Sequence, residues 1–178
     1  GPVTPLLFLP YQPTAVAFNL LQAGTYEFKY TISNGSCSDS DTVQVVVYDN
    51  PTVAQAGSDQ EWCEVTGTTL SANTPSVGTG TWSQVSGPST ASFTNENSPI
   101  TSVSNLDYGD FVFRWTISNG NCPDTYDDVS VSVSQQASNV YAGDDATICE
   151  SSVPYSISGA SADDATSILW STCSNGCG

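Results

Sequence analysis

Between Asp110 and Ser118 the chain alternates. Phe111, Phe113, Trp115 and Ile117 fall on one face of an extended strand, and Val112, Arg114 and Thr116 on the other. Successive side chains of a strand point to opposite faces, so a period of two marks a sheet with one buried side. The stretch "YEFKYTI" repeats the pattern with Tyr26, Phe28, Tyr30 and Ile32, and "DDVSVSV" alternates Val with Asp or Ser. β-Branched and aromatic residues fill these runs, while Gly, Asn, Pro and Ser separate them. No stretch carries the 3.6-residue period of an amphipathic helix. The pattern predicts strands near 52–56, 67–73, 80–86, 91–94, 100–105, 111–118 and 127–134. Seven short strands of this kind predict an all-β, Ig-like sandwich of two sheets.

The pattern also recurs. "AGTYEFKYTISNGSC" (23–37) aligns with "YGDFVFRWTISNGNC" (108–122), and "AGSDQEWCE" (56–64) with "AGDDATICE" (142–150). "TWSQ" around Trp82 aligns with "LWST" around Trp170, and Val43, Val45 and Val47 with Val129, Val131 and Val133. A period of about 85–86 residues predicts a string of like modules. Residues 1–50 then read as the second half of a repeat, 51–136 as a complete repeat, and 137–178 as the first half of another. Either the chain is an excerpt of a longer array, or the halves complete one another between chains. Asn34-Gly35 and Asn119-Gly120 are expected to turn the hairpin that ends each module, because these residues tolerate positive φ. Trp82, Trp115, Phe111, Phe113 and Trp170 are the expected core aromatics. "LQAGTY" (21–26) resembles a tyrosine corner, in which the hydroxyl ties a strand to the preceding turn; Phe111 takes that place in the next copy and cannot make the bond.

Composition narrows the functions. Ser and Thr supply 47 of 178 residues, so a core forms only in a thin architecture where alternate residues face inward. The net charge is −16, and Lys29 and Arg114 are the sole cations. Binding nucleic acid needs clustered cations, so that class is excluded, and anionic membrane surfaces are disfavoured for the same reason. No apolar run approaches the roughly 18 residues of a membrane span, and the start of the chain lacks the basic region of a signal peptide. Without histidine most acid–base and triad chemistry is missing, and the acids cluster in turns. The chain therefore reads as a non-enzyme.

Six cysteines suggest an oxidising, extracellular setting and disulfides among Cys37, Cys63, Cys122, Cys149, Cys173 and Cys177. Cys63 is expected at the turn between the first two strands and Cys122 at the last hairpin turn, at opposite ends of a module. One pairing staples the bottom cysteine of one module to the hairpin cysteine of the next. A bridge within one module and free thiols are the alternatives. "CSNGC" (173–177) can close a local loop or pair between chains. Aspartates recur at 39 and 124, 41 and 127, 59 and 145. Asp59, Asp124 and Asp127 are expected at one end of the central module, where calcium would take several oxygen ligands; the plain alternative is Asp capping turn N–H groups. Lys29 and Arg114 share one strand position and are expected to pair with nearby acids.

The blocks "AGSDQEWCE", "GTWSQVSGP" and "FRWTISNGNC" together resemble the PKD-like or Ig-like repeats of large secreted Bacteroidota surface proteins, among them gliding-motility adhesins and type IX secretion substrates. The resemblance covers the central repeat and both flanking halves. It implies a β-sandwich array outside the cell that acts as stalk, adhesin or filament. Its expected partners are neighbouring repeats or identical subunits joined head to tail. Binding of surface glycans is the alternative, although no loop carries a recognisable binding chemistry.

Overall fold

A computed structural model of the chain describes residues 6–8, 14–18, 20, 22–150 and 154–172. Every regular element among them is a strand. β1 (Leu6–Phe8) and β2 (Val16–Phe18) form an antiparallel pair. β3 (Gly24–Asn34) and β4 (Cys37–Val47) form a long antiparallel hairpin. Seven strands follow: β5 (Gln60–Cys63), β6 (Gly67–Ser71), β7 (Thr79–Ser86), β8 (Ser92–Phe93), β9 (Ile100–Ser104), β10 (Gly109–Ser118) and β11 (Thr125–Ser134). They make two sheets, in the orders β5-β11-β10-β7 and β6-β9-β8. Last come β12 (Ser138–Tyr141) and β13 (Ser161–Asp163), which pair with each other.

The inward positions of the central strands meet between the two sheets. Phe111, Phe113, Trp115 and Ile117 of β10 and Val129, Val131 and Val133 of β11 pack with Trp82 of β7, Leu70 of β6 and Val103 of β9. Burying each large apolar side chain contributes about 1.5–3 kcal/mol, so this one layer of alternate residues carries most of the sandwich's stability. The ring centroids of Trp82 and Trp115 lie 5.2 Å apart. Gly80 makes room for them, since a Cβ there would sit 2.0 Å from the Trp115 ring. The indole N–H of Trp82 donates to the Ser98 carbonyl at 3.1 Å, whereas the buried indole N–H of Trp115 has no acceptor.

One expected strand is replaced by another. Residues 52–56 run extended but join no ladder. Ala54 and Ala56 are buried, and their N–H groups donate to side chains of β11: Ala54 to Thr125 Oγ1 at 3.1 Å and Ala56 to Asp127 Oδ2 at 2.7 Å. Gly57 then adopts φ of +96° and lies against the Ser71 carbonyl, where a Cβ would come within 2.5 Å. This bend lets β5 run parallel to the far half of β11, with Cys63 opposite Ser134.

Two hairpins share the register that the sequence repeat implies. In β10–β11 the paired residues are Phe113 with Val129 and Phe111 with Val131; in β3–β4 they are Phe28 with Val43 and Tyr26 with Val45. Gly143 reproduces the Gly57 bend, with φ of +98° and a Cβ position 2.5 Å from the Ser158 carbonyl. Their surroundings differ, since β3–β4 has neither a same-sheet neighbour nor a facing sheet among the described residues. Trp115, Ile117 and Val129 are 0–1% exposed, while their counterparts Tyr30, Ile32 and Val43 are 55–58% exposed. Likewise Leu70 and Trp82 are 0–1% exposed, while Ile157 and Trp170 are 64% and 51% exposed. Trp170, an expected core aromatic, is half exposed, and among the described residues no facing sheet covers it.

Candidate functional site

The feature with most built geometry is a junction. β4 ends at Val47, and Pro51 is already buried in the central sandwich. The short link between them is clamped by the turn from β10 to β11. Asn119 donates its side-chain N–H to the Asp49 carbonyl at 2.8 Å. The Cys122 thiol lies 3.6 Å from the Tyr48 carbonyl and 3.4 Å from that of Asp49. Gly120, at φ of +58°, lies flat on the Tyr48 ring, where a Cβ would approach within 2.5 Å. Beyond the link, Thr52 accepts a 2.6 Å bond from Thr125 Oγ1 through its carbonyl and donates its N–H to the Val77 carbonyl at 3.1 Å. The "SNG" phrase therefore has a second use. Its glycine turns the hairpin, and its asparagine and cysteine grip the end of the preceding strand pair. The corresponding Gly35 has φ of +63° and open space around it.

The opposite end of the sandwich has a matching edge. Glu64 donates its N–H to the Ser134 carbonyl at 3.0 Å, just after Cys63. An open cleft there is lined by Cys63, Ser134, Gln135, Gln136 and residues 164–167. Cys63 and Cys122 are thus separated by the ten residues of β11, about 30 Å at roughly 3.4 Å per residue. A disulfide needs Cα atoms within about 7 Å, so these two do not bridge within one sandwich. Among the described residues Cys37, Cys63, Cys122 and Cys149 are unbridged. Cys173 and Cys177 lie outside the described residues.

The aspartates do not gather. Among the described residues no three His, Cys, Asp or Glu side chains come together as a metal site. Asp59, Asp124 and Asp127, the positions expected for calcium, are not part of any such group. Asp59 instead accepts the Ser130 N–H at 2.8 Å and Asp127 that of Ala56 at 2.7 Å. Their job is to fasten the crossing stretch 54–60 to the β11 edge, a role sequence spacing could not separate from ligation.

On the outer face of β10, Arg114 forms a two-pronged ion pair with Asp128, at 2.7 and 2.8 Å, and its guanidinium stacks 4.0 Å from the Tyr126 ring centre. The hydrogen bond from Arg114 holds the Asp128 carboxyl below its ordinary range; slight burial opposes this and the Arg114 charge adds to it. Lys29 differs: its cross-strand neighbour is Thr42, and the ion pair among the described residues is that of Arg114. Tyr26 donates its hydroxyl to the Gln22 carbonyl at 2.9 Å, which is the tyrosine-corner bond. The Tyr141 hydroxyl is held protonated above its usual range by its hydrogen bond to Asp144 and by partial burial.

Residues 56–133 match the family model described as "K319L-like, PKD domain". No curated protein sequence matches the chain. Among solved structures, the PKD domain from the KIAA 1837 protein is 27% identical, with 47% of this chain and 86% of that chain covered and a TM-score of 0.42. The PKD domain from human KIAA0319 is 17% identical, covering 56% and 91%, with a TM-score of 0.42. A nucleoside hydrolase-related hypothetical protein from Saccharophagus degradans, associated with carbohydrate metabolism, is 17% identical, covering 49% and 26%, with a TM-score of 0.40. Two facing sheets around one core make this region an Ig-like β-sandwich, and its residues 56–133 are similar to the PKD family model.

Proposed function

We propose that this chain is a length of a non-enzymatic extracellular structural or adhesive protein, in which sandwiches set end to end form a stiff stalk or filament on a bacterial surface. Residues 51–136 are one complete bead, and residues 1–50 and 137–178 are parts of its neighbours. The junction carries this reading. A flexible string would join its beads by a solvated Gly/Ser linker. Here Tyr48 and Asp49 are held by Asn119, Gly120 and Cys122, and Thr52 by Val77 and Thr125. The match to a PKD model and a sequence without histidine support a mechanical rather than a chemical task.

The test is stiffness. Small-angle scattering and residual dipolar couplings should report one fixed orientation between the β3–β4 hairpin and the central sandwich. The Tyr48→Ala/Asn119→Ala double variant should broaden that orientation while the melting of the central sandwich stays within a few degrees. If the unaltered chain already tumbles as two independent bodies, the stalk reading fails.

A further inference from the structure

The two sheets of the central sandwich leave one margin open, between the edge strands β5 and β6. Gln60 and Trp62 stand there in register with Val131 and Val133, two buried residues of β11. One side-chain amide ties the margin together. Gln60 donates through Nε2 to the Thr69 carbonyl at 3.0 Å. Its Oε1 accepts the Thr68 hydroxyl at 2.7 Å and the Trp62 indole N–H at 2.9 Å. Both lone pairs of that oxygen are thus engaged, and the amide is held at its two ends. The Trp62 ring is fixed by it, yet stays 45% exposed. The ring borders an open groove of about 440 Å³, lined also by Val65, Gly67, Thr68 and Thr69. That volume lies in the range of small-ligand sites.

The fixed indole is not a demand of the fold. The aligned stretch 142–150 has Ala146 and Ile148 where the central module has Gln60 and Trp62. The core tryptophan, by contrast, recurs, since Trp82 aligns with Trp170. An apolar side chain is enough to close the margin, so the Gln60–Trp62 pair has another use. We propose that the groove beside Trp62 binds an uncharged, β-linked glycan, with one pyranose ring lying on the indole face. A pyranose with equatorial hydroxyls has a C–H face. Covering a large flat ring with that face removes apolar surface from water, while the hydroxyls stay at the wet rim. The Thr68 hydroxyl, whose proton goes to Gln60, keeps its lone pairs for a sugar O–H. A ring already immobilised loses little freedom on binding. Acidic glycans are disfavoured, because Asp59, Glu61 and Glu64 flank the pair in sequence and Arg114 is engaged by Asp128. Trp62 is the one aromatic among the groove's residues, whereas grooves for proline-rich peptides are aromatic-lined. Contact with a single sugar ring gives a dissociation constant on the order of 1 mM.

The experiment is a titration of the full, isotopically labelled chain followed by NMR, in which the indole N–H groups of the four tryptophans report separately. Cellohexaose and chitohexaose are the uncharged probes, hexagalacturonic acid the acidic one, and decaproline the peptide. The expected result is a saturable shift of the Trp62 indole signal with an uncharged probe and none with the other two. Trp62→Ala should lose at least about tenfold in affinity while the melting of the central sandwich stays within a few degrees. Trp62→Phe keeps a flat ring and should keep part of the binding. Gln60→Ala frees the indole and should weaken binding by about threefold or more, with the shift still falling on Trp62. No Trp62 shift with either uncharged probe at tens of millimolar overturns the proposal. So does a shift that hexagalacturonic acid or decaproline produces equally well, one that falls on Trp170 in place of Trp62, or binding that survives Trp62→Ala. The proposal names a ligand for an adhesive role and does not need beads set end to end, so its failure leaves the stalk reading to the stiffness of the junction.

Discussion

At the scale of single residues, equivalent positions have diverged in ways that titration can read. Arg114 and Lys29 stand at one place on two hairpins, but Arg114 faces Asp128 and Lys29 faces Thr42. A planar guanidinium grips a carboxylate with two parallel bonds, which an ammonium cannot. Because the folded-state pKa of Asp128 is lowered, the stabilisation from this pair is complete above the ordinary carboxylate range. It is lost only as pH falls through Asp128's own depressed value. Carboxyl NMR should show Asp128 ionising below the ordinary carboxylate range, and Arg114→Gln should bring it back up toward that range. An unchanged curve in the variant would contradict the assignment. Core tryptophans give a second contrast. Trp82→Ala should cost about 3–5 kcal/mol in urea unfolding, since it leaves a cavity beside Trp115. Trp170→Ala in the dilute chain should cost less than about 0.5 kcal/mol, because the ring is half exposed.

At the scale of elements, legibility in the sequence depended on whether the cause was local. β10 and β11 could be read because one face of each is buried, and burial imposes alternation on Phe111 to Ile117 and Val129 to Val133. The hairpin turns could be read because glycine at positive φ is a local demand. β5 could not: "QEWC" lacks alternation, and its place is set by the Gly57 bend and by a parallel pairing some 70 residues away. Residues 52–56 alternate like a strand, yet Thr125 and Asp127 side chains take the N–H groups a ladder would have used. The Tyr48–Gly120 contact was equally hidden, since neither residue alone signals a joint. The cover of each hairpin also decides its dynamics. β3–β4 and β10–β11 share one register, but two strands without a covering layer are marginal. In dilute solution β3–β4 amides should exchange with solvent at least about tenfold faster than β10–β11 amides. Equal protection of both hairpins at low concentration would show that the facing sheet is not what stabilises the ladder.

At the scale of the whole molecule, charge acts against compactness. The chain carries 18 acidic residues against two cations. A net charge this far from zero weakens the folded state by self-repulsion. That repulsion reaches about 30 Å at 0.01 M salt and about 8 Å at 0.15 M. Raising the ionic strength across that range should therefore raise the melting temperature of the central sandwich, and the gain should level off once the Debye length falls below the spacing of the surface carboxylates. The Arg114–Asp128 pair works the other way, but a pair this exposed contributes little. Calorimetry in sodium chloride at fixed pH measures the balance. A melting temperature that falls with salt would mean that attraction between opposite charges outweighs repulsion among the carboxylates, which two cations among 18 acids do not provide for.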